Sequence, residues 1–478
     1  MSDKIPAVPQ KASLQIRFVV VGGGIAALAS AIGLARAGHE VTVLEKSDGH
    51  TNRGEHGLRI PPNMSKILYH WGLRQQLLDV ALVSRALLFS RLESEELLGT
   101  QVWDYELLKE TRGDFLLLTH IDLHRLLSET AVAHGVNIRY NAEVVTIVPD
   151  LGEVRLASGD THSADVIVGA DGVKGISRDS LVGQHDRGAP VGISIINATF
   201  DTKTAVGQLP EELERAADFE SNMIFAAFGN KCGALAFPIN QWRECTFQFL
   251  VQDHTTEGTW GDPPCQDLKT LVPNPCDPRL RFVADNASNA VRVVLKDYSH
   301  LENWVHDSSR LVVIGEAAHT FPAIAVQGPA MAVEDAAVLG KLFSHLSSRD
   351  QIPSFLWAFQ DIRQRRCTAI QQVEHGNVYY MTMADSPEQR ARDEALKAKH
   401  RAGKNVMAPE DGEESAQWGE VRETFGYDCE DEADNWWVQW GLLRERAKGA
   451  QQSQARDFAF TWGNMGVSVS QNEDANSE

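Results

Sequence analysis

The feature that most constrains this chain is a strand–glycine–helix–strand run that begins at residue 16. Apart from Arg17, residues 16–21 are β-branched or aromatic, which suits a strand buried on both faces of a parallel sheet. Gly22-Gly23-Gly24 follows, residues 25–38 carry an Ala- and Leu-rich helical pattern, and residues 41–44 form a second buried strand ending at Glu45. Such a unit, of about thirty residues, is what a dinucleotide site requires. Gly22 supplies the tight turn, and Gly24, with no side chain, lets the backbone approach a pyrophosphate. Ala27 and Ala31 keep the helix close to the sheet, and the free amides of its first turn face the phosphates. Glu45 is placed to accept hydrogen bonds from ribose hydroxyls, with Lys46 beside it.

At 478 residues the chain is too long for one ordinary core, so two domains with extensions are expected. Residues 123–134 read as a helix, 136–140 as a short strand, and 144–148 with 153–156 as a hairpin. Residues 166–168 and 311–314 read as further buried parallel strands, and 331–346 as a helix. Between about 183 and 294 the pattern changes to alternating strands with turn-rich links, the mark of a separate sheet. Beyond residue 385 the chain turns polar, with an acidic stretch at 410–434 followed by Trp436, Trp437 and Trp440. That stretch reads as a solvated acidic arm whose tryptophans dock on the body.

Lys and Arg number 45 against 65 Asp and Glu, a net charge of −20, which argues against nucleic acid or anionic membrane as partners. No apolar run is long enough to span a membrane, and residues 1–15, with Lys4 and Lys11, lack the apolar stretch of a secretory signal. The six cysteines show no metal-ligand spacing, and Cys265 and Cys276 fall in a Pro-rich loop, so no metal site is expected. Reduced thiols fit a cytoplasmic protein. The final tripeptide is no peroxisomal signal, and the Asn197-Ala-Thr sequon reads as chance.

Three later segments point to a family. Asp165-x-x-x-Gly169-Ala170-Asp171-Gly172-Val173-Lys174-Gly175-Ile176-Ser177-Arg178 resembles the Asp-Gly fingerprint of flavoprotein hydroxylases that act on aromatic rings. Residues 310–314 with Gly315-Glu316-Ala317-Ala318-His319, continued by Gln327-Gly328 and a helix from Met331, resemble their second FAD fingerprint. Gly57-Leu58-Arg59-Ile60-Pro61-Pro62-Asn63 resembles the segment that passes beside the flavin ring. Over residues 15–380 the chain is similar to the salicylate-hydroxylase-like and p-hydroxybenzoate-hydroxylase-type branch, in the style of fungal members.

The resemblance implies an α/β fold: a Rossmann-like FAD-binding domain (1–182 and 295–385), an inserted β-sheet substrate domain (183–294) and a helical, acidic C-terminal extension (386–478). It implies FAD held by Gly22, Gly24, Ala27, Glu45, Lys46, Gly57, Leu58, His120, Asp171, Glu316, Gln327 and Gly328. Pro329 falls in the first turn of the second-fingerprint helix, with amides near Gly328 and Ala330 turned to the flavin's pyrimidine edge. NADH or NADPH would reduce the flavin, and a flavin hydroperoxide formed with O2 would hydroxylate a phenol or hydroxybenzoate-like substrate. Carbon dioxide would be lost where the attacked carbon carries a carboxylate. Phe237 and Pro322 are the expected pocket residues, and no catalytic residue is assigned.

The chain departs from the family pattern at several points. His120 stands for an Arg, Glu316 for an Asp, Gly175 for a Ser, Val326 and Ala330 for a Gly and an Asn, and Glu55 for a Gly. No arginine occurs near residues 193–199, where relatives handle a phenol or carboxylate, and Phe237 stands for their tyrosine. A less polar ligand, such as a prenylated phenol, is the corresponding expectation. The alternatives left open are a same-fold epoxidase or reductase acting on a non-aromatic substrate, and a non-catalytic flavin-binding protein. A monomer and a homodimer fit equally.

Overall fold

A computed structural model describes residues 10–443, except 50–55, 95, 104, 203–221, 261, 263–267, 273–275, 287–288 and 407–415. Glu55, Lys4, Cys265, acidic residues 410–415 and the final tripeptide lie outside the described residues.

The glycine-loop segment folds as its pattern predicts. Strand Arg17–Val21 leads into helix Ile25–Arg36 and returns through strand Glu40–Leu44. These strands belong to a five-stranded sheet, all parallel, whose order is Leu311–Val313, Val166–Gly169, Arg17–Val21, Glu40–Leu44 and Asn137–Arg139. Arg17–Val21 is central, and the chain leaves it first to one side and later returns on the other. The carboxyl end of that strand is therefore a topological switch point, where open α/β sheets bind their ligands.

Helix Ile25–Arg36 crosses helix Gln327–Phe343 at a pair of glycines. A Cβ on Gly33 would lie 2.8 Å from the Ala336 carbonyl oxygen, and one on Gly340 would lie 2.7 Å from the Gly33 backbone. Because the two backbones touch, neither position accepts a methyl group without the helices separating. Gly340→Ala is expected to destabilise the fold by about 1–3 kcal/mol, the usual cost of overpacking, and urea unfolding of the variant measures it.

The second large sheet has seven strands: Val291–Asp297, Ala189–Asp201, Glu244–Gln252, Cys232–Ile239, Ile224–Gly229, Ala86–Arg91 and Leu97–Val102. It reaches beyond the expected 183–294 span at both ends. Strand Ala86–Arg91 joins it by parallel pairing to Ile224–Gly229, a long-range contact that local patterning cannot report. A small sheet of Gly57–Ile60, Leu116–Thr119 and Leu82–Val83 lies between the two large ones, and the hairpin predicted at 144–156 forms with a third strand, Thr161–Ser163. Asn197 sits mid-strand and fully buried, so its sequon is closed to modification in the folded chain.

The long helix Ile352–Met381 and helices Pro387–Arg401, Ala416–Gly426 and Cys429–Trp436 complete the fold. The described part of the acidic arm is docked on the body. Asp428 caps the Cys429–Trp436 helix through the Asp431 amide at 3.2 Å and pairs with Lys66 at 3.4 Å. Tyr427 lies under the Arg366 guanidinium at 4.2 Å, and Trp437 stacks on His345 at 4.6 Å. Trp436 and Trp437 pack against the main core, whereas Trp440 is exposed, so two of the three tryptophans dock. No helix among the described residues is long and apolar enough to cross a membrane.

Candidate functional site

Four segments reach the carboxyl edge of the five-stranded sheet: the glycine loop, Glu45, Ala170-Asp171 and Gly315-Glu316. Gly22 has φ +106°, and a Cβ there would stand 2.6 Å from the Ala170 carbonyl oxygen, so only glycine fits. Its amide donates to the Leu44 carbonyl at 2.9 Å, tying the loop to the neighbouring strand. Gly24 is different. A Cβ on it would meet no protein atom within 4 Å, and its backbone opens the first helix of the fold. That combination of free helix amides and unfilled space is what a pyrophosphate needs.

Glu45 is buried beneath the loop, its carboxylate accepting from the Ser47 amide at 2.8 Å, while Lys46 beside it is exposed. Ala27 is fully buried, as close helix–sheet packing demands. His120 begins helix His120–Ala133 and lies ring to ring with His124 at 6.3 Å. His124, which sequence reasoning missed, hydrogen-bonds through Nε2 to the Gly23 carbonyl at 2.7 Å and so braces the glycine loop. Its helical position carried no motif to announce it.

Asp171 accepts from the Ser177 amide at 3.0 Å through Oδ2, whereas Oδ1 is buried without a partner. Burial raises its pKa, and the amides of Ser177 and Ile176 pull the other way. A Cβ on Gly175 would meet the Asp171 carboxyl at 2.1 Å, so glycine is what lets the carboxyl fold back onto this turn. Glu316 stands exposed at the strand end, and the protein packed around its carboxyl raises its pKa. The fit to FAD is therefore good on two counts: the space above Gly24 and the buried Asp171 Oδ1, which has no partner among the described residues.

Helix Gln327–Phe343 starts earlier than its pattern predicts. The Gln327 amide is taken by Glu374 of the long helix at 3.0 Å, and Pro329 has no amide hydrogen. Ala330, a full turn in, falls within the helix ladder, so Gly328 is left with the free amide of this turn. Gln327 is buried and accepts from Asn63 at 3.0 Å.

Behind this helix lies a buried ionic network. Arg363, fully buried, donates to Glu334 at 2.7 Å and to Asp335 at 2.8 Å. Asp335 also accepts from the Gly315 amide at 2.9 Å and contacts His319 Nε2 at 2.6 Å. His319, Asp335 and Cys367 lie within 4.8 Å of one another, a metal-like grouping. The guanidinium of Arg363 donates into the same atoms, at 2.8 Å to Asp335 and 3.6 Å to Cys367, and repels any cation. The group is an ion-pair network that anchors the fingerprint turn.

Burial alone would lower the His319 pKa, but Cys367 and Asp335 outweigh it and push it up to about 10. Burial would raise Asp335, but His319 and Arg363 hold it down to about 2. The raised His319 stabilises the fold fully below its unfolded pKa, about 6.5, and that stability is lost as pH rises towards 10. The lowered Asp335 contributes fully above about 4 and loses its part as pH falls towards 2. Urea unfolding across pH is expected to give this pair's full contribution between about 4 and 6.5, with Asp335→Asn flattening the alkaline limb.

The remaining candidates gather where the two large sheets approach. Gly57 donates to Thr246 Oγ1 at 2.8 Å, and a Cβ on it would strike the Phe237 ring at 2.6 Å. Leu58 packs against the main core. Phe237 is fully buried and belongs to the hydrophobic cluster that also holds Ile324, so it is a wall of packed core, whereas Pro322 keeps partial exposure. Arg59, also missed in the sequence, projects across the Phe237 ring, 5.7 Å from its centroid.

An open parallel sheet carrying a glycine loop at its switch point, with acids at the neighbouring strand ends, defines an FAD-binding flavoprotein. The family described as FAD binding domain matches residues 15–373, and the chain belongs to it. Among curated relatives, FAD-dependent monooxygenase OpS4 of Beauveria bassiana (strain ARSEF 2860) is 28% identical over 387 residues, 80% of this chain and 89% of that protein. The 3-hydroxybenzoate 6-hydroxylase of Klebsiella oxytoca is 26% identical over 333 residues, 68% of this chain and 79% of that one. Among solved structures, CtdE in complex with FAD and substrate superposes with a TM-score of 0.74 at 18% identity, covering 90% of this chain and 100% of that one. A salicylate hydroxylase substrate complex gives 0.68 at 20% identity, covering 88% and 97%. The chain is an FAD-dependent monooxygenase.

Proposed function

We propose that this enzyme hydroxylates an aromatic substrate, a phenol or hydroxybenzoate, using NADH or NADPH and O2. The observation that carries the reading is the convergence of the glycine loop, Glu45, Asp171 and Glu316 on one sheet edge, within a chain whose relatives include a hydroxybenzoate hydroxylase. When bound, FAD supplies hydride acceptance from nicotinamide and transfer of one oxygen atom from O2 to the ring. Gly22 and Gly24 shape the turn that would receive the pyrophosphate, Glu45 and Lys46 the adenosine ribose, and Asp171 and Glu316 the hydroxyls of the chain between. His120 stands beside the loop that His124 braces, and Gln327 and Gly328 present the fingerprint helix. Gly57 ties its strand to the seven-stranded sheet through Thr246, Leu58 packs that strand on the main core, and Pro322, with partial exposure, would border the reacting ring. The described cysteines are all free, which supports a reducing, cytoplasmic setting.

Purified enzyme is expected to be yellow and to oxidise reduced nicotinamide faster when a hydroxybenzoate or phenol is added. Oxygen uptake must match a hydroxylated product, with peroxide followed to detect uncoupling. Stimulated oxidation that yields a reduced substrate and no oxygenated product would establish a reductase instead.

A further inference from the structure

We infer that Arg59 is the anion contact of the substrate site, so that the enzyme selects aromatic acids and phenolates over neutral aromatics of the same shape. This deepens the proposed function and rests on it for the location of the substrate.

Arg59 projects from strand Gly57–Ile60 between the Phe237 ring and the loop that carries Pro322. On one side its guanidinium lies over the Phe237 ring at 5.7 Å. On the other it donates to the Ile324 carbonyl, in the loop that links Pro322 to the fingerprint helix. That bond engages one Nη of a group with five donor hydrogens, and no described carboxylate stands within ion-pair distance of the rest. The nearest acid that acts on it, Glu374, already accepts from the Gln327 amide at 3.0 Å and faces Asn377 at 3.4 Å.

Protein surrounds the Arg59 side chain, yet it keeps partial exposure, so it borders open space rather than a packed core. Desolvation by that surround, opposed by Glu374, pushes its pKa down to about 10. A cation held this way, without a carboxylate of its own, gains most from an anion that arrives with the ligand, and the planar fork of arginine suits a carboxylate or phenolate oxygen. On this reading an ionised ring substituent suits the site better than the lipophilic phenol expected from the sequence.

The test is equilibrium binding to the oxidised holoenzyme, read from the perturbed flavin absorbance. The probes are 2-, 3- and 4-hydroxybenzoate, each paired with its neutral hydroxybenzamide. At least one acid is expected to bind tenfold or more tightly than its amide. Arg59→Gln should erase that preference with FAD content unchanged, and Arg59→Lys should restore part of it. Equal binding within every pair, preference for the amides, binding of no probe, or a parallel loss for acid and amide in Arg59→Gln would each overturn the inference. Because binding is read without turnover, an acid preference that persists where no product is oxygenated would count against the proposed function alone.

Discussion

Gly24→Ala is expected to leave the apoprotein nearly as stable as its parent while raising the FAD dissociation constant about 100-fold, or about 2.8 kcal/mol. The two effects separate because of where the new methyl group would go. It meets no protein atom within 4 Å, and φ at Gly24 is an ordinary −80°, so the folded chain gains neither clash nor strain. Loss of a glycine helix cap costs about 1 kcal/mol at most. The methyl instead enters the space above the first helix turn, where a pyrophosphate must approach the backbone closely. Titration of apoprotein with FAD, followed by flavin fluorescence, gives the affinity, and urea unfolding of apoprotein gives the stability. A Gly24→Ala enzyme that purifies with full FAD would remove the loop from the binding site. Gly22→Ala makes the contrast: its Cβ would strike the Ala170 carbonyl at 2.6 Å with φ +106°, so stability and cofactor should be lost together.

Arg363→Met is expected to destabilise the folded enzyme by about 3–5 kcal/mol. Arg363 is fully buried between Glu334 and Asp335, themselves 1% and 0% exposed, so its removal takes the closest guanidinium from two carboxylates that have no water to replace it. Breaking one buried pair by deleting a partner costs about 3–5 kcal/mol; here each carboxylate loses one of two cationic partners, Glu334 keeping Arg366 at 3.4 Å and Asp335 keeping His319 at 2.6 Å. Against a typical total of about 5–15 kcal/mol, the loss takes a large part of the margin. The effect should also reach the cofactor, since Asp335 holds the Gly315 amide at 2.9 Å and Glu334 accepts from Asn63 at 2.7 Å. Soluble yield, thermal unfolding and bound FAD are the measurements. A folded, yellow Arg363→Met protein with parental stability would show that the network carries no such weight. The double change Glu334→Gln with Arg363→Met should recover part of the loss, because one of the two weakened charges is then gone.

Much of the framework of the candidate site was legible because its elements are local. Gly22, Gly24, Ala27 and Glu45 lie within two dozen residues, and period-2 and helical patterns place them on a strand end, a turn, a helix face and the next strand end. The Asp171 and Glu316 segments were equally readable, each following a buried strand. Gly175 was legible only as a departure; its contact with the Asp171 carboxyl lies within one turn of chain. The start of the fingerprint helix was misjudged because Gln327 and Gly328 gain their helical place from Glu374, 47 residues on.

The sequence by itself determined the dinucleotide unit and the order of the strands' chemistry, because a tight turn, a helix terminus and a strand-end acid depend on neighbours only a few residues away. Tertiary structure alone decided which distant groups meet: His124 under the glycine loop, Gly33 against Gly340, Arg363 between two acids, and Arg59 across Phe237. Each is a contact between elements whose approach is set by packing of the whole core, and no spacing along the chain encodes such a distance.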